Sequence, residues 1–325
     1  MVTLGIESSA HTFGGGIVDN GKFLSNKKDM YAISDKGMIP RKVADHHSDA
    51  SYAVIEDSLT YAGISLHDID SIGYTKGPGI GPCLRVGELA AKTLANKLHI
   101  PIYPVNHAIA HIEVTKHLSR FKDPLALYVS GGNSQILGVV ASPFKHYTVY
   151  GETFDIGVGN MLDNFARAAN LNPAWGSSVA KLAEGGKYIS MPYNVKGMDF
   201  TFTGLLTNAV KMLDKESSKD VAFSLQETAF SMLSEATERA LMLTSKKELT
   251  VCGGVAQSAR LAAMLKGMTH MHKAKFYVAS NEYNADNGAM IALVAEKMHM
   301  SGAKIKDKDC NVQQRYRADT VRITW

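Results

Sequence analysis

The sequence has little cysteine, with three residues (Cys83, Cys252 and Cys310) far apart in 325. Their spacing fits neither a disulfide framework nor a zinc-ligand set, which excludes a secreted disulfide scaffold and predicts a cytoplasmic protein. No stretch approaches ~18 consecutive apolar residues, so no membrane span is expected. The start of the chain also lacks the basic and apolar regions of a signal peptide.

Charge of one sign is not in large excess either. Lys plus Arg number 35 and Asp plus Glu number 31, which gives a net charge of +4. Such a balance permits RNA contact through a local patch but is not typical of a dedicated nucleic-acid-binding protein. Hydrophobic residues make up 45% of the chain, which excludes disordered and coiled-coil classes.

Strand and helix patterns alternate along the chain, which predicts an α/β protein. Residues 4–18 and 125–140 are alike, because each is an apolar run, a turn of small residues and a second apolar run. Asp19-Asn20-Gly21 is a strong hairpin turn. This similarity suggests two lobes with a cleft between them. On the local pattern alone, two unrelated hairpins are an equally good explanation. Helices are predicted over residues 45–64, 88–98 and 221–244, and short strands over 71–74, 249–252 and 276–279.

His107 and His111 are the first candidates for chemistry. At a spacing of four on a helix they share one face, so both imidazoles can reach one metal ion. Asn106 is placed to cap that helix. Twelve histidines give about 0.4 such pairs by chance, so the pair alone is weak evidence. Ala108 occupies the place of the catalytic Glu of the HExxH motif, which disfavours peptidase chemistry.

Two glycine-rich turns follow apolar strands. The turn Ser130-Gly131-Gly132-Asn133 can present backbone N–H groups to a phosphate without obstruction by Cβ atoms. The pair Gly253-Gly254 lies between a strand and a predicted helix, where a nucleotide can approach the backbone. Ordinary tight strand–helix connections are the alternative for either turn.

Three aspartates have two interpretations each. Asp155 and Asp163 are candidates to bind a ribose hydroxyl, or they begin and face a helix. Asp286 precedes a helical pattern, where an Asp ordinarily serves as the cap.

Together these segments resemble one family closely, the tRNA N6-adenosine threonylcarbamoyltransferases, formerly called O-sialoglycoprotein endopeptidases. The resemblance covers nearly the whole chain and looks like the archaeal and eukaryotic branch. The matching motifs, in chain order, are Gly5-Ile6-Glu7, Asp45-His46-His47, Gly77-Pro78-Gly79-Ile80-Gly81-Pro82, Asn106-His107-Ala108-Ile109-Ala110-His111, Tyr128-Val129-Ser130-Gly131-Gly132-Asn133, Gly151-Glu152-Thr153, Gly253-Gly254-Val255-Ala256 and Asp286-Asn287-Gly288-Ala289.

The resemblance implies a two-lobed actin-like, Hsp70-like ATPase fold. Its lobes are duplicated ribonuclease-H-like domains with a nucleotide cleft between them. Residues 1–122 plus 291–325 are expected to form lobe I and residues 123–290 lobe II. The implied activity is an acyl transfer, in which a threonylcarbamoyl group moves from threonylcarbamoyl-AMP to N6 of the adenosine at tRNA position 37. The implied partners are tRNA and the KEOPS assembly, with its small kinase and two small accessory subunits.

The resemblance also implies the site residues. A divalent metal, iron rather than zinc, is expected on His107, His111, Tyr128 and Asp286. The residues implied to contact the adenylate (threonylcarbamoyl-AMP, ATP or AMP) are Tyr128, Val129, Ser130, Gly131, Gly132, Asn133, Asp163, Gly176, Gly253, Gly254 and Ser258. The sequence departs from the family pattern at Ser258, Ala180 and Ala174-Trp175.

The C-terminal stretch is basic in part. It contains Lys304, Lys306, Lys308, Arg315, Arg317 and Arg322, offset by three aspartates. These cations are candidates to contact a tRNA backbone, and a solvated tail is the alternative.

Two other functional classes fit the same architecture. A small-molecule kinase would turn over ATP with Mg²⁺, and a nucleotide-binding switch would bind ATP without using the histidine pair.

Overall fold

The computed structural model describes residues 1–32 and 38–325. The strands in this part of the chain are β1 (Val2–Glu7), β2 (Thr12–Asp19), β3 (Lys22–Met30), β4 (Ser71–Gly77), β5 (Ile102–Asn106), β6 (Leu125–Val129), β7 (Ser134–Val140), β8 (His146–Glu152), β9 (Val195–Lys196), β10 (Asp199–Phe200), β11 (Glu248–Cys252) and β12 (Lys275–Val278). The α-helices are α1 (Pro40–Ala62), α2 (Gly81–Leu98), α3 (His107–Ser119), α4 (Val158–Ala168), α5 (Gly176–Ala183), α6 (Thr203–Met212), α7 (Ser218–Thr244), α8 (Ala259–Met271), α9 (Asn281–Asn284) and α10 (Gly288–Met300).

The chain forms two compact units. The first contains Met1–Val114, Val140–Tyr147 and Ala285–Trp325. Its five-stranded sheet has the order β3-β2-β1-β4-β5, with β3, β2 and β1 antiparallel and β1, β4 and β5 parallel. Apolar side chains of its strands, such as Leu4 on β1 and Ile72 on β4, are fully buried in the core of this unit.

Helix α10 lies directly on the strands of the first unit. A Cβ atom on Gly5 would be 2.2 Å from the backbone N of Ala292, and one on Gly16 would be 2.2 Å from that of Ala289. Only glycine allows so close an approach between helix and strand backbones. The start of α10, and with it the residues just before it, is therefore fixed against β1 and β2.

The second unit contains Thr115–Val139 and Thr148–Asn284. Its sheet has the order β12-β11-β6-β7-β8, with β12, β11 and β6 parallel and β6 antiparallel to β7. Helix α7 is central to its core, where Leu225, Ala229 and Leu233 are fully buried. Read from its hairpin end, this sheet repeats the arrangement of the first, so the predicted α/β class and the duplication are confirmed. The predicted lobe boundaries stay a prediction.

Two predicted helices begin earlier than the sequence suggested. Helix α1 begins at Pro40 rather than at residue 45, and α2 begins at Gly81 rather than at 88. In both, a proline lies in the first helical turn. Because the first-turn N–H groups have no partner within the helix, proline is tolerated there.

Candidate functional site

Helix α3 carries the predicted histidine pair. Asn106, the last residue of β5, caps the helix as predicted, because its Oδ1 accepts the N–H of Ile109 at 3.1 Å. His107 and His111 are both buried, and their ring centroids lie 4.7 Å apart with nearly perpendicular planes. The helix therefore presents two imidazoles on one face.

Asp286 completes a cluster with these histidines. Its Oδ1 lies 3.2 Å from Nε2 of His111 and 3.5 Å from Nε2 of His107. Asn287, not Asp286, caps α10, because the Asn287 Oδ1 accepts the N–H of Met290 at 2.9 Å. The interpretation of Asp286 as an ordinary cap is therefore wrong, and its carboxylate faces the imidazoles instead.

The geometry of this cluster fits a metal ion. The possible ligand atoms of His107, His111 and Asp286 all lie within 4.8 Å of one another. Around a tetrahedral ion with bonds of roughly 2.1 Å, neighbouring ligand atoms are about 3.4 Å apart, close to the two N···O distances. Two imidazoles and a carboxylate suit iron or zinc and leave coordination positions for other ligands.

Glu7 supports the cluster from behind, and sequence reasoning had not assigned it a role. Its Oε2 lies 2.9 Å from Nδ1 of His107 and accepts the Thr75 hydroxyl at 2.7 Å, while Oε1 accepts the N–H of Ser9 at 2.6 Å. A carboxylate on the far nitrogen of a histidine fixes its orientation toward a metal. The available signal was a carboxylate at the end of an apolar strand, within the Gly5-Ile6-Glu7 motif.

The electrostatics of the cluster favour a cation. Burial alone would lower the pKa of His107, but the charges of Glu7 and Asp286 outweigh it and raise that pKa to about 9. Burial opposes ionisation of Asp286, yet the charge of His107 and the hydrogen bond from His111 lower the Asp286 pKa. Burial lowers the pKa of His111. His107 is thus positively charged between the carboxylates of Glu7 and Asp286, and the imidazole of His111 beside it is neutral.

Tyr128, the remaining predicted ligand, belongs to the second unit. It lies on β6, is 3% exposed and is paired in register with Cys252 of β11. Its role as a metal ligand stays a prediction.

The first glycine-rich turn follows Tyr128 and is closed by its own polar groups. The Ser130 N–H donates to the Asn133 carbonyl at 2.8 Å, and the Ser130 hydroxyl accepts the Asn133 N–H at 3.1 Å. The N–H groups of Gly159 and Asn160 donate to the carbonyls of Ser130 and Gly131 at 3.2 and 3.0 Å. The start of α4 therefore fixes the turn.

The second glycine-rich turn lies beside the first. Gly253 has φ +95°, and a Cβ there would be 2.4 Å from the carbonyl oxygen of Val129, whereas Gly254 has no atom within 4 Å of a Cβ position. Strands β6 and β11 are parallel neighbours, so both turns lie at the same carboxyl edge of the sheet. Such an edge is where open α/β sheets bind ligands.

The other predicted adenylate residues have local structural contacts. Asp163 accepts the N–H of Gly176 at 2.8 Å, and Ser258 caps α8 by accepting the N–H of Leu261 at 3.4 Å. Asp155 accepts the N–H groups at the start of α6, including that of Thr203 at 2.8 Å, so the interpretation that it begins a helix is confirmed. Contacts of Asp163, Gly176 and Ser258 with a nucleotide stay predictions.

The C-terminal basic residues are all exposed: Lys304, Lys306, Lys308, Arg315, Arg317 and Arg322. Arg317 forms a bidentate pair with Asp319, with its shortest contact at 2.9 Å. The neighbouring Cys310 and Ala318 are buried, so this stretch is folded against the first unit and is not a solvated tail.

No α-helix in residues 1–32 and 38–325 is both long enough and apolar enough to cross a membrane.

A solved structure shares the fold. The activator of the 2-hydroxyisocaproyl-CoA dehydratase from Clostridium difficile, a structure with bound ADPNP, superposes with a TM-score of 0.55 at 11% identity, over 94% of this chain and 99% of that one. The predicted actin-like ATPase fold is confirmed by this similarity and by the two matching sheets.

Sequence relatives are much closer. The tRNA N6-adenosine threonylcarbamoyltransferase of Thermococcus kodakarensis is 44% identical over 328 residues, with full coverage of both chains. A probable bifunctional tRNA threonylcarbamoyladenosine biosynthesis protein of Thermoplasma volcanium is 45% identical over all of this chain and 62% of its own length. A family model described as tRNA N6-adenosine threonylcarbamoyltransferase matches residues 21–293. The predicted transferase class is thereby confirmed, and the chain belongs to the tRNA N6-adenosine threonylcarbamoyltransferase family.

Proposed function

We propose that this protein transfers a threonylcarbamoyl group from threonylcarbamoyl-AMP to N6 of the adenosine at tRNA position 37, as the catalytic subunit of a KEOPS assembly. The observation that carries the proposal is the full-length 44% identity to a named transferase. The cluster of His107, His111 and Asp286 supplies the matching chemistry.

The reaction needs positioning more than a strong nucleophile, because the donor is already an activated anhydride. The lone pair of N6 attacks the carbamoyl carbon and forms the new C–N bond. The C–O bond to the phosphate then breaks, AMP leaves with that electron pair, and N6 loses one proton to solvent or to the departing phosphate. Holding N6 near the carbonyl and stabilising the developing oxyanion supply most of the acceleration.

His107, His111 and Asp286 are proposed to hold a divalent metal, with iron favoured over zinc, and Tyr128 stays a predicted further ligand. When bound, such an ion supplies Lewis-acid polarisation of a carbonyl and a template for the donor. Glu7 keeps Nδ1 of His107 hydrogen-bonded and leaves Nε2 directed at Asp286. Through this fixed orientation of His107, the chain itself contributes to binding threonylcarbamoyl-AMP.

The glycine-rich turns are proposed to bind the adenylate. Ser130 to Asn133 would meet its phosphate, and Gly253, Gly254 and Ser258 its adenosine, with Asp163 and Gly176 near the ribose. The support is their shared sheet edge and the open space above Gly132 and Gly254, where a Cβ has no atom within 4 Å. Binding of an anion by backbone N–H groups needs such open access.

Transfer RNA is the proposed acceptor, and partners are proposed to supply much of its binding. Net charge is only +4, whereas tight tRNA binding normally neutralises many phosphates. A small kinase and two accessory subunits would complete the surface. The three free, buried cysteines suit a reducing compartment, so we place the reaction in the cytoplasm.

The test reconstitutes the reaction. Purified protein is incubated with tRNA, threonine, bicarbonate and ATP, with the system that makes the adenylate and the partner subunits, and digested tRNA is read by nucleoside mass spectrometry. Threonylcarbamoyladenosine should appear only when this chain is present. His111→Ala should abolish it, while His270→Ala, which alters an exposed histidine on α8, should not. Wild-type yield from His111→Ala, or no product in the complete mixture, would contradict the proposal.

A further inference from the structure

The C-terminal segment, residues 309–317, lies against the end of strand β4. The N–H of Gln313 donates to the carbonyl of Lys76 at 2.8 Å, and the N–H of Gly79 donates to the carbonyl of Gln314 at 3.2 Å. The Lys76 ammonium donates to the carbonyl of Asp309 at 2.8 Å. Three hydrogen bonds therefore fasten the C-terminal segment to Lys76 near the end of β4 and to Gly79 just after it.

Asn106 joins the C-terminal segment to the metal helix. Its Oδ1 accepts the N–H of Ile109 in the first turn of α3, and its Nδ2 donates to the carbonyl of Tyr316 at 2.9 Å. Only this orientation of the amide satisfies both partners, because one is a donor and the other an acceptor. Asn106 is 3% exposed and immediately precedes His107.

A second connection reaches the same histidine. Thr75, next to Lys76 on β4, donates its hydroxyl to Oε2 of Glu7 at 2.7 Å, and that oxygen contacts Nδ1 of His107. His107 is thus positioned by Glu7 and by Asn106, which precedes it. The C-terminal segment bonds to Asn106 directly, and it bonds to Lys76, the neighbour of the Thr75 that holds Glu7.

The C-terminal segment also carries an exposed cation. Arg315 is exposed and directly precedes Tyr316, whereas Arg317 is engaged by Asp319. An arginine in this position is suited to an RNA phosphate. The residues on either side of Arg315 are held through their backbone, because the carbonyls of Gln314 and Tyr316 both accept hydrogen bonds.

We propose that Asn106 is a positioning residue that couples the metal cluster to the C-terminal segment, so that metal binding stabilises the bonded conformation of the segment that presents Arg315 to RNA. This inference rests on the proposed function. A metal on His107 and His111 fixes the first turn of α3, which fixes Asn106 and, through it, the Tyr316 carbonyl. Because coupling between two sites is reciprocal, an ordered C-terminal segment raises metal affinity by the same factor.

Hydrogen exchange on the whole chain, with Zn²⁺ as the probe, tests the coupling. In the wild-type protein saturating Zn²⁺ should slow exchange of the Gln313 N–H by about fivefold or more, the lower end of typical coupling energies. In Asn106→Ser, which keeps a good helix cap but loses the long donor, Zn²⁺ should still protect α3 and leave Gln313 unchanged. The Zn²⁺ affinity of this variant should fall by the same factor.

Asn106→Asp serves as a second variant, because it also keeps the cap acceptor and lacks the donor. Asn311→Ser, an exposed change in the same segment, should behave as wild type. The inference is overturned if Zn²⁺ protects Gln313 equally in the Asn106 variants, or fails to protect it in wild-type protein that metal analysis shows to be loaded. Wild-type protein that binds no metal would overturn the proposed metal site, and this inference with it.

Discussion

Oε2 of Glu7 lies 2.9 Å from Nδ1 of His107, although 100 residues separate them in the chain. Glu7 is fully buried and also accepts bonds from Thr75 and from the backbone of Ser9. The carboxylate therefore fixes the ring orientation in which Nε2 of His107 faces Asp286.

Replacing Glu7 by Gln should weaken metal binding without unfolding the protein. The amide keeps the size of the side chain, but it removes the negative charge behind the imidazole, and loss of such a supporting partner typically costs about 10–100-fold in metal affinity. Competition titration with Zn²⁺ measures the change, and Glu56→Gln, an exposed change on α1, is the matched control. Equal affinities for wild type and Glu7→Gln would show that Glu7 has only a packing role.

Replacing Gly132 by Val should abolish or strongly weaken AMP binding while the fold survives. A Cβ at Gly132 has no protein atom within 4 Å, so the change costs little packing energy, yet it places branched carbons where the phosphate is proposed to bind. Calorimetric titration with AMP and a thermal melt separate the two effects. Gly267→Val on α8, also an open position, should change neither property; unaltered AMP affinity in Gly132→Val would place the nucleotide elsewhere.

Glu296 gives a prediction on stability and pH. It is 2% exposed and accepts the Gly21 N–H at 2.8 Å, and burial raises its pKa above the ordinary value of 4.5. Because the native pKa of Glu296 is raised, protonation of its carboxyl stabilises the folded protein. This stabilisation is fully present below pH 4.5 and is lost as pH rises through the native pKa. The free energy of unfolding of Glu296→Gln at pH 7 should therefore exceed that of wild type by on the order of 1 kcal/mol.

That advantage of Glu296→Gln should disappear at pH 4, where the wild-type carboxyl is also neutral. Urea unfolding at both pH values checks the sign. A variant that is less stable than wild type at pH 7 would show that ionised Glu296 stabilises the hairpin turn instead.

Local sequence patterns predicted the features that depend on near neighbours. The spacing of His107 and His111 and the cap at Asn106 follow from helix geometry within one turn. The two hairpins and the long α7 follow likewise from apolar periodicity.

Features that depend on distant segments could not be predicted in this way. The contact of Glu7 with His107 joins two strand ends that become neighbours only when the sheet forms. The contact of Asp286 with His111 likewise joins residues that are 175 positions apart in the chain. The helix that Asp155 begins, α6, lies 48 residues further along the chain, so local pattern could not identify it.

The most direct test of the central claim is transfer from presynthesised threonylcarbamoyl-AMP to tRNA by the assembled complex, with wild type compared with Asp286→Asn. Both the modified nucleoside and released AMP are measured in a single turnover. Asp286→Asn keeps the shape of the cluster but removes its anionic ligand, so the account predicts at least about 100-fold slower formation of threonylcarbamoyladenosine at saturating tRNA. Transfer by Asp286→Asn at the wild-type rate would contradict a role for the cluster in the reaction.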